Sequence, residues 1–288
     1  MKYFSINDRL KIISEAIPKH KDLREYLELQ SKILQAQINY DAQSNNVAKT
    51  DWIDQLPLNL LEQKSLKTKK PIIHYINLSL FNEDSLLSIF RKSVNLFISM
   101  DPAKKGLETL LNNIDAGKIS FLKLIEAALR DDITSIIRYA KKFKVEPEFL
   151  LFLINIPLQP FIEEISKRVS SSFYDKWWRA PCPICGKVPS ISRIRNRKRY
   201  LLCDFYGAEY PSNYFLCVNC ENKEPNTLNY MNIEGKPEFQ IDFCIKCNHY
   251  LNVIIESKLR ESIPRCIEDI LTLNLDIEAM HTGLIRNG

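Results

Sequence analysis

The sequence predicts an α+β protein with an N-terminal all-α helical domain, two small cysteine-rich β modules and a C-terminal helix. Three observations predict it. Apolar residues recur at helical spacing through the first two thirds of the chain. Glycine is scarce, seven in 288 residues, which disfavours a protein built of many tight hairpins. Seven of the eight cysteines crowd between Cys182 and Cys247, where short aromatic and β-branched runs replace the helical period. With 45% apolar residues the chain can bury a core, and the pattern divides at 1–176, 177–215, 216–256 and 257–288.

The helices follow in order. Asn7 and Asp8 are placed to cap a short helix running to Ala16, with Ile12, Ile13 and Ala16 apolar. His20 to Ala42 reads as a longer helix carrying Leu23, Leu27, Ile33, Leu34 and Ile38. From Gln43 to about Asn77 the periodicity lapses, and Pro57, Pro71 and the basic run Lys64 to Lys70 suggest loop with short turns. Asn82, Glu83 and Asp84 open a helix with Leu87, Phe90, Val94, Phe97 and Ile98 on one face. Asp101 and Pro102 read as a cap plus first-turn proline for the next helix, with Leu107, Leu110, Leu111 and Ile114, stopped by Gly117. Phe121 to Leu129 and Ile133 to Ala140 give two more, the second opened by Asp131 and Asp132 and closed by Lys141 and Lys142. Pro147 restarts a helix through Phe149 to Ile156, which Pro157 and Pro160 are expected to break before a last one from Phe161 to Val169. The apolar run is too short to cross a bilayer, so no membrane insertion is expected.

At Trp177 and Trp178, read as an anchor between domains, the pattern changes. Strands are expected at Val188–Ile194, Arg199–Leu202, Tyr214–Cys217 and Phe239–Phe243, with a helical pattern resuming through Ile263, Ile267, Ile270 and Ile277 to about Gly283. A C-x-x-C turn aims two thiolates at one centre, and two such turns make the tetrahedral set of a zinc or mononuclear iron site. Cys217 and Cys220 with Cys244 and Cys247 form a complete set. Disulfides are the alternative. Nothing from Met1 onward has the apolar core of a secretory signal, so a cytoplasmic, reducing location and metal binding are favoured. Cys182, Cys185 and Cys203 form an incomplete set, because Tyr206 stands where a second C-x-x-C would place its last cysteine. That set is either empty or completed by water or another group, Tyr206 being an unusual fourth ligand, so one metal is expected and a second only if this set is filled. Cys266 reads as a buried thiol in a helix.

The balance of 40 Lys and Arg against 35 Asp and Glu, net +5, is mild and does not demand a nucleic-acid partner. The basic hairpin Arg193, Arg195, Arg197, Lys198 and Arg199 has three readings: a phosphate-binding loop, a solvated face, or a docking patch for an acidic partner. The four histidines lie far apart without metal-protease spacing, and no G-x-G-x-x-G, P-loop or G-x-S-x-G motif occurs, so no catalytic residues are assigned.

Several motifs together resemble a known family. They are Trp178-x-x-x-Cys182-Pro-x-Cys185-Gly186-x-x-Pro189, Arg199-Tyr-Leu-x-Cys203, Cys217-x-x-Cys220, Cys244-x-x-Cys247-x-x-Tyr250-Leu251 and the closing helix Glu268 to Ala279. A fainter echo lies in Tyr26-Leu27 through Leu34 to Gln37 and in Pro157 to Pro160. This order resembles the FdhE-type formate dehydrogenase accessory proteins. The resemblance implies a helical domain followed by two rubredoxin-like modules that bind zinc or iron. It also implies a non-enzymatic role in the cytoplasm on the catalytic subunit of a molybdopterin-dependent oxidoreductase, a formate dehydrogenase or a relative. Tyr206 departs from the pattern, as does Tyr210 where the family has tryptophan. Two other readings stay open: a zinc-ribbon protein that binds nucleic acid, and a dithiol redox protein using Cys182 and Cys185.

Overall fold

Polar side-chain caps open several of the helices of the N-terminal body. The computed structural model describes residues 4–43, 51–101, 105–263 and 266–287. The helices are α1 (Ile6–Ala16), α2 (Arg24–Gln43), α3 (Asp51–Asp54), α4 (Leu58–Thr68), α5 (Glu83–Met100), α6 (Lys105–Asp115), α7 (Phe121–Leu129), α8 (Ile133–Phe143), α9 (Pro147–Arg168) and α10 (Ser171–Lys176). Asn82 accepts from the Ser85 amide at 2.9 Å and Asp132 from the Ser135 amide at 3.0 Å, each tying down an orphan donor of a first turn. The cap of α1 is Ser5, not Asn7 or Asp8. Its hydroxyl accepts from the Asp8 amide at 3.1 Å, while the Asp8 carboxylate accepts from the Ser5 amide at 3.1 Å, a reciprocal capping box. The cap expected at Pro102 lies outside the described residues.

Two expectations for the body fail. The stretch taken as loop contains α4, which ends on Lys69 in a left-handed conformation, φ 54°. Its apolar face is thin, with only Leu61 and Ser65 buried, so the basic run masked it. The second correction concerns Pro157 and Pro160. Both lie inside one continuous 22-residue helix, α9. Pro160 has no amide to give the Ile156 carbonyl, its normal partner. Gln37 of α2 supplies that donor instead, its Nε2 reaching Ile156 O at 2.8 Å and Gln159 Oε1 at 3.0 Å. The uninterrupted helix is long and apolar enough by composition to cross a membrane, but 67% of its apolar window is buried inside the protein. It is the axle of the body, packed against α2, α5, α7 and α8.

The sheet has seven strands: β1 (Ile191–Arg195), β2 (Lys198–Leu202), β3 (Glu209–Ser212), β4 (Leu228–Ile233), β5 (Lys236–Cys244), β6 (His249–Ile255) and β7 (Ile285–Arg286). The order is β3-β2-β1-β6-β5-β4, with β7 on β6. Each module is an antiparallel three-stranded meander, broken in the second by a knuckle between β5 and β6. A parallel pairing of β1 with β6, Ile191 opposite Asn252, joins them into one sheet. The β1–β2 turn places Asn196 and Arg197 both at positive φ, 51° and 59°, as a tight two-residue hairpin requires. The strand expected at Tyr214–Cys217 is absent; that segment leads into a knuckle, and the edge strand forms earlier, at Glu209–Ser212. The closing helix is split at Thr272 into α11 (Glu268–Leu271) and α12 (Leu273–His281), the Thr272 hydroxyl donating to Glu268 O at 3.0 Å.

The main core runs from the helices through Trp177, Ala180 and Ile184 into the first module at Leu201, Tyr210 and Leu216. Trp177 is the buried anchor, donating from Nε1 to Pro181 O at 2.7 Å, whereas Trp178 is 69% exposed. The second module has only a small cluster of its own: Ile241, Tyr250, Leu275, Ala279 and Leu284. Tyr250 and Asn252 both donate to Asp276 Oδ1 of α12, at 2.9 and 2.8 Å, which fixes that helix to the sheet.

Candidate metal centres

Each half of the sheet carries two knuckle turns. In the second module Cys217 begins one and Cys244 the other. The Cys217 amide donates to Asn222 O at 2.8 Å, and the Asn248 amide donates to Cys244 O at 2.8 Å. These bonds fold the turns back on themselves and point both sulfurs of each pair the same way. The residue after each pair, Glu221 or Asn248, has positive φ, 53° and 61°. Asparagine tolerates that region well; the Glu221 carboxylate is held there by Arg179, which donates to it from Nε and Nη2 at 3.1 Å each.

The four sulfurs of Cys217, Cys220, Cys244 and Cys247 lie within 4.8 Å of one another. Cys217 and Cys247 stand 3.5 Å apart, Cys220 and Cys244 3.9 Å. Those spacings are far beyond an S–S bond of about 2.05 Å but near the ~3.8 Å edge of a tetrahedron with Zn–S bonds of about 2.3 Å. The residues therefore suit a tetrahedral thiophilic ion. Burial disfavours a thiolate at Cys244, yet the amides of Cys247 and Lys246 and the Asn222 side chain bring its thiol down to about 7. Burial pushes the Cys217 thiol up. His249 adjoins the cluster, but its Nδ1 is engaged with Cys247 O at 2.7 Å. A 260 Å³ cavity beside the cluster is walled by Tyr214, Phe215, Tyr230 and Asp242.

In the first module Cys182, Cys185 and Cys203 also come within 4.8 Å of one another. Cys182 and Cys203 are buried, and the knuckle carrying Cys182 is fastened to the helical body, with Ile72 and Ile73 amides donating to Pro183 O and Ile184 O at 3.0 Å each. Tyr206 is buried with its hydroxyl 3.1 Å from Cys182 Sγ. Burial opposes ionisation of Cys182, but hydrogen bonds from Cys185, Cys203 and Tyr206 outweigh it and hold that thiol well below its ordinary value. Burial pushes up both Cys203 and the Tyr206 phenol, reinforced at Cys203 by its hydrogen bonds with Cys182 and Cys185 and at Tyr206 by the charge on Cys182.

The remaining sequence candidates fare differently. Cys266 joins neither group; it lies outside any helix at φ 108°, half-buried, and burial raises its thiol to about 12. Of the four arginines offered as a docking patch or phosphate-binding face, two are turned away from solvent. Arg193 is 4% exposed and donates to Glu268 Oε1 at 2.7 Å, Ile263 O at 3.0 Å and Glu256 Oε1 at 3.2 Å. Arg199 is 3% exposed and donates to Leu216 O at 2.7 Å, with Asp242 at 3.6 Å. In the β1–β2 register Arg193 lies opposite Tyr200 and Arg199 opposite Ile194, so the two point to opposite faces of the sheet and each is covered by its own carboxylate and carbonyl partners. Arg195 is half-buried against Glu209 at 2.7 Å, which leaves Arg197 at the hairpin tip as the exposed member. What the sequence reading missed is the positive-φ residue that closes each knuckle: Gly186, Gly207, Glu221 and Asn248. The pattern C-x-x-C-G in the first module was the available signal.

No protein-family model matches the chain. Over 167 residues it is 28% identical to "Protein FdhE homolog" of Aquifex aeolicus (strain VF5), covering 56% of this chain; the chain spans 58% of that relative. The crystal structure of the FdhE protein from Pseudomonas aeruginosa superposes with a TM-score of 0.59 at 20% identity, covering 96% of this chain and 92% of that one, which shows a shared fold. Both likenesses are to FdhE-type proteins and support the family that the cysteine pattern resembles.

Proposed function

We propose that the chain is a non-enzymatic FdhE-type accessory factor. In this reading it binds the catalytic subunit of a formate dehydrogenase or a related molybdopterin oxidoreductase in the cytoplasm, and holds zinc or iron at Cys217, Cys220, Cys244 and Cys247. The observation that carries it is the joining of two knuckle-bearing modules into one sheet seated on a helical body, in the fold of an FdhE protein. When bound, zinc ties four thiolates into a closed structural site, and iron adds a one-electron couple.

The protein's own residues supply the rest. Arg179 and Glu221 brace the Cys217–Cys220 turn against the segment leading from the helical body, and Arg179 also donates to Lys69 O at 2.8 Å. The second module has little apolar core, so the ion adds the constraint its five-residue cluster lacks. Phe215, Tyr230 and Ile245 are exposed around this module, 56%, 62% and 55% respectively. Phe215 and Tyr230 wall the same cavity, and exposed aromatic side chains of this kind suit a partner subunit's surface better than phosphates. The buried Arg193 and Arg199 weigh against the nucleic-acid reading.

Two measurements test the reading. Cys244→Ser should cost the chain the ion of the second module and lower its melting temperature; metal content equal to that of the parent would refute the ligand assignment. Phe215→Ala with Tyr230→Ala should weaken capture of a formate dehydrogenase catalytic subunit while keeping that metal. Capture of the subunit at parental strength would move the docking face elsewhere, and no capture by the parent would sink the client assignment.

A further inference from the structure

The first cysteine group has the same construction as the second, with one atom changed. Two knuckles face each other there as well. The Cys182 amide donates to Lys187 O at 2.8 Å and the Gly186 amide to Cys182 O at 2.9 Å. The turn from Cys203 repeats both bonds: Cys203 N to Ala208 O at 2.7 Å and Gly207 N to Cys203 O at 2.7 Å. Gly186 and Gly207 occupy the positive-φ position that closes each turn, at 81° and 76°. The Cys203–Gly207 segment is therefore a complete knuckle whose fourth residue is Tyr206 instead of cysteine. Its hydroxyl lies 3.1 Å from Cys182 Sγ, and Cys185 Sγ lies 3.5 Å from Cys203 Sγ.

A tyrosine that merely filled the gap would be expected to give its hydroxyl to an oxygen. Tyr210, equally buried and four residues on, does so, donating to Ala180 O at 2.6 Å. Tyr206 turns its oxygen to the Cys182 sulfur instead. An ion with bonds of about 2.3 Å to sulfur and about 2.0 Å to oxygen needs edges of roughly 3.8 Å between sulfurs and roughly 3.5 Å from sulfur to oxygen. The observed spacings are a few tenths of an ångström shorter, so each ligand has only to give slightly outward. Among the described residues no histidine or carboxylate joins this group, which leaves the phenol oxygen as the fourth donor at hand.

We propose that Cys182, Cys185, Cys203 and Tyr206 form a second metal site of three sulfurs and one oxygen, with the Tyr206 phenolate as fourth ligand to a zinc-class or iron-class ion. The ion's charge stabilises the phenolate that burial alone disfavours, and the protons of the thiols and phenol leave to solvent on binding. A phenolate is a harder donor than a thiolate, so the site differs in metal preference from the all-sulfur site in the second module. The assignment stands independently of any client enzyme.

The test uses the full chain, loaded anaerobically with zinc and, separately, with cobalt(II) as an absorbing stand-in. Elemental analysis should give about two ions per chain, and X-ray absorption an average first shell of about 3.5 sulfurs and about 0.5 oxygen. Tyr206→Phe should drop the count to about one ion, in an all-sulfur shell, with the retained ion reporting an intact second module. Tyr206→Cys should keep about two ions, move the average to about four sulfurs and strengthen the sulfur-to-cobalt charge-transfer band. One ion in the parent chain, or two in Tyr206→Phe with an unchanged shell, would overturn the proposal. If Tyr206→Phe fails to fold, the parent count and the Tyr206→Cys shell decide between the same outcomes.

Discussion

Arg193 separates a folding role from a docking role by the size of one substitution. Its guanidinium bridges two carboxylates, Glu268 at 2.7 Å and Glu256 at 3.2 Å, and also donates to Ile263 O at 3.0 Å. It thereby pins the segment after β6 and the start of α11 to strand β1. Side-chain exposure is 5% for Arg193 and 7% for Glu268, so water cannot replace the pair. Arg193→Ala would leave Glu268 as a buried charge with the Cys266 amide, at 2.6 Å, as its donor, and would strip the Ile263 carbonyl. Breaking one side of a buried pair costs about 3–5 kcal/mol, a fall in melting temperature on the order of 10 °C for a chain this size. Arg197→Ala, at the exposed hairpin tip, should stay within about 0.5 kcal/mol of the parent. The double replacement Arg193→Met with Glu268→Leu should recover most of the loss, because an apolar pair removes the orphaned charge. Calorimetry or urea unfolding of the four proteins reads this directly. Equal melting of Arg193→Ala and the parent would refute the argument and restore Arg193 as a surface residue.

Other expectations follow from single contacts. Gln37→Leu keeps the volume but leaves the buried Ile156 carbonyl bare, and should cost about 1–3 kcal/mol in urea unfolding; an unchanged midpoint would mean that the carbonyl finds another donor. Burial, opposed by Asp131 and aided by Arg130 and Lys70, lowers the His74 imidazole below its ordinary value. Because the folded value lies below the unfolded one, this group's contribution is present above about pH 6.5 and is lost as pH falls through the folded value. An NMR titration of His74 with its midpoint at or above 6.5 would contradict that, and His74→Gln should flatten the acid side of the stability curve.

The legible part of the sequence was the part in which one residue type carries the geometry. Cysteine spacing pointed to both sulfur clusters that could hold an ion, because a C-x-x-C turn aims two sulfurs at one centre. Helices α5 and α8 were legible because caps and apolar spacing agree, and α6 and α7 from spacing alone, although α5 buries Leu86 and Ile89 rather than Leu87 and Ile98. Two of the hairpin arginines were misjudged because an alternating basic strand looks the same whether its members meet solvent or carboxylates. Glu268 and Asp242, their partners, lie tens of residues away in sequence. Nor did the spacing announce that β1 would lie parallel to β6, since a parallel pair leaves no local turn to recognise.

The prolines of α9 show why the helical body and the cysteine modules behave as parts of one design. A proline inside a helix is a breaker only if the carbonyl it frees goes unanswered. Here the answer is Gln37, 1% exposed, from a helix 119 residues earlier. Gln37 and the turn from Ile156 to Pro160, which look unrelated along the chain, are joined by the bonds from Gln37 to Ile156 O and Gln159 Oε1. With those bonds made, α9 continues to Arg168, where it delivers α10 and Trp177 into the core. Trp177 then fixes Pro181, next to the first knuckle cysteine, at 2.7 Å. A break at Pro160 would release that whole line, so a side chain in α2 helps decide where the sulfurs of Cys182 and Cys185 stand.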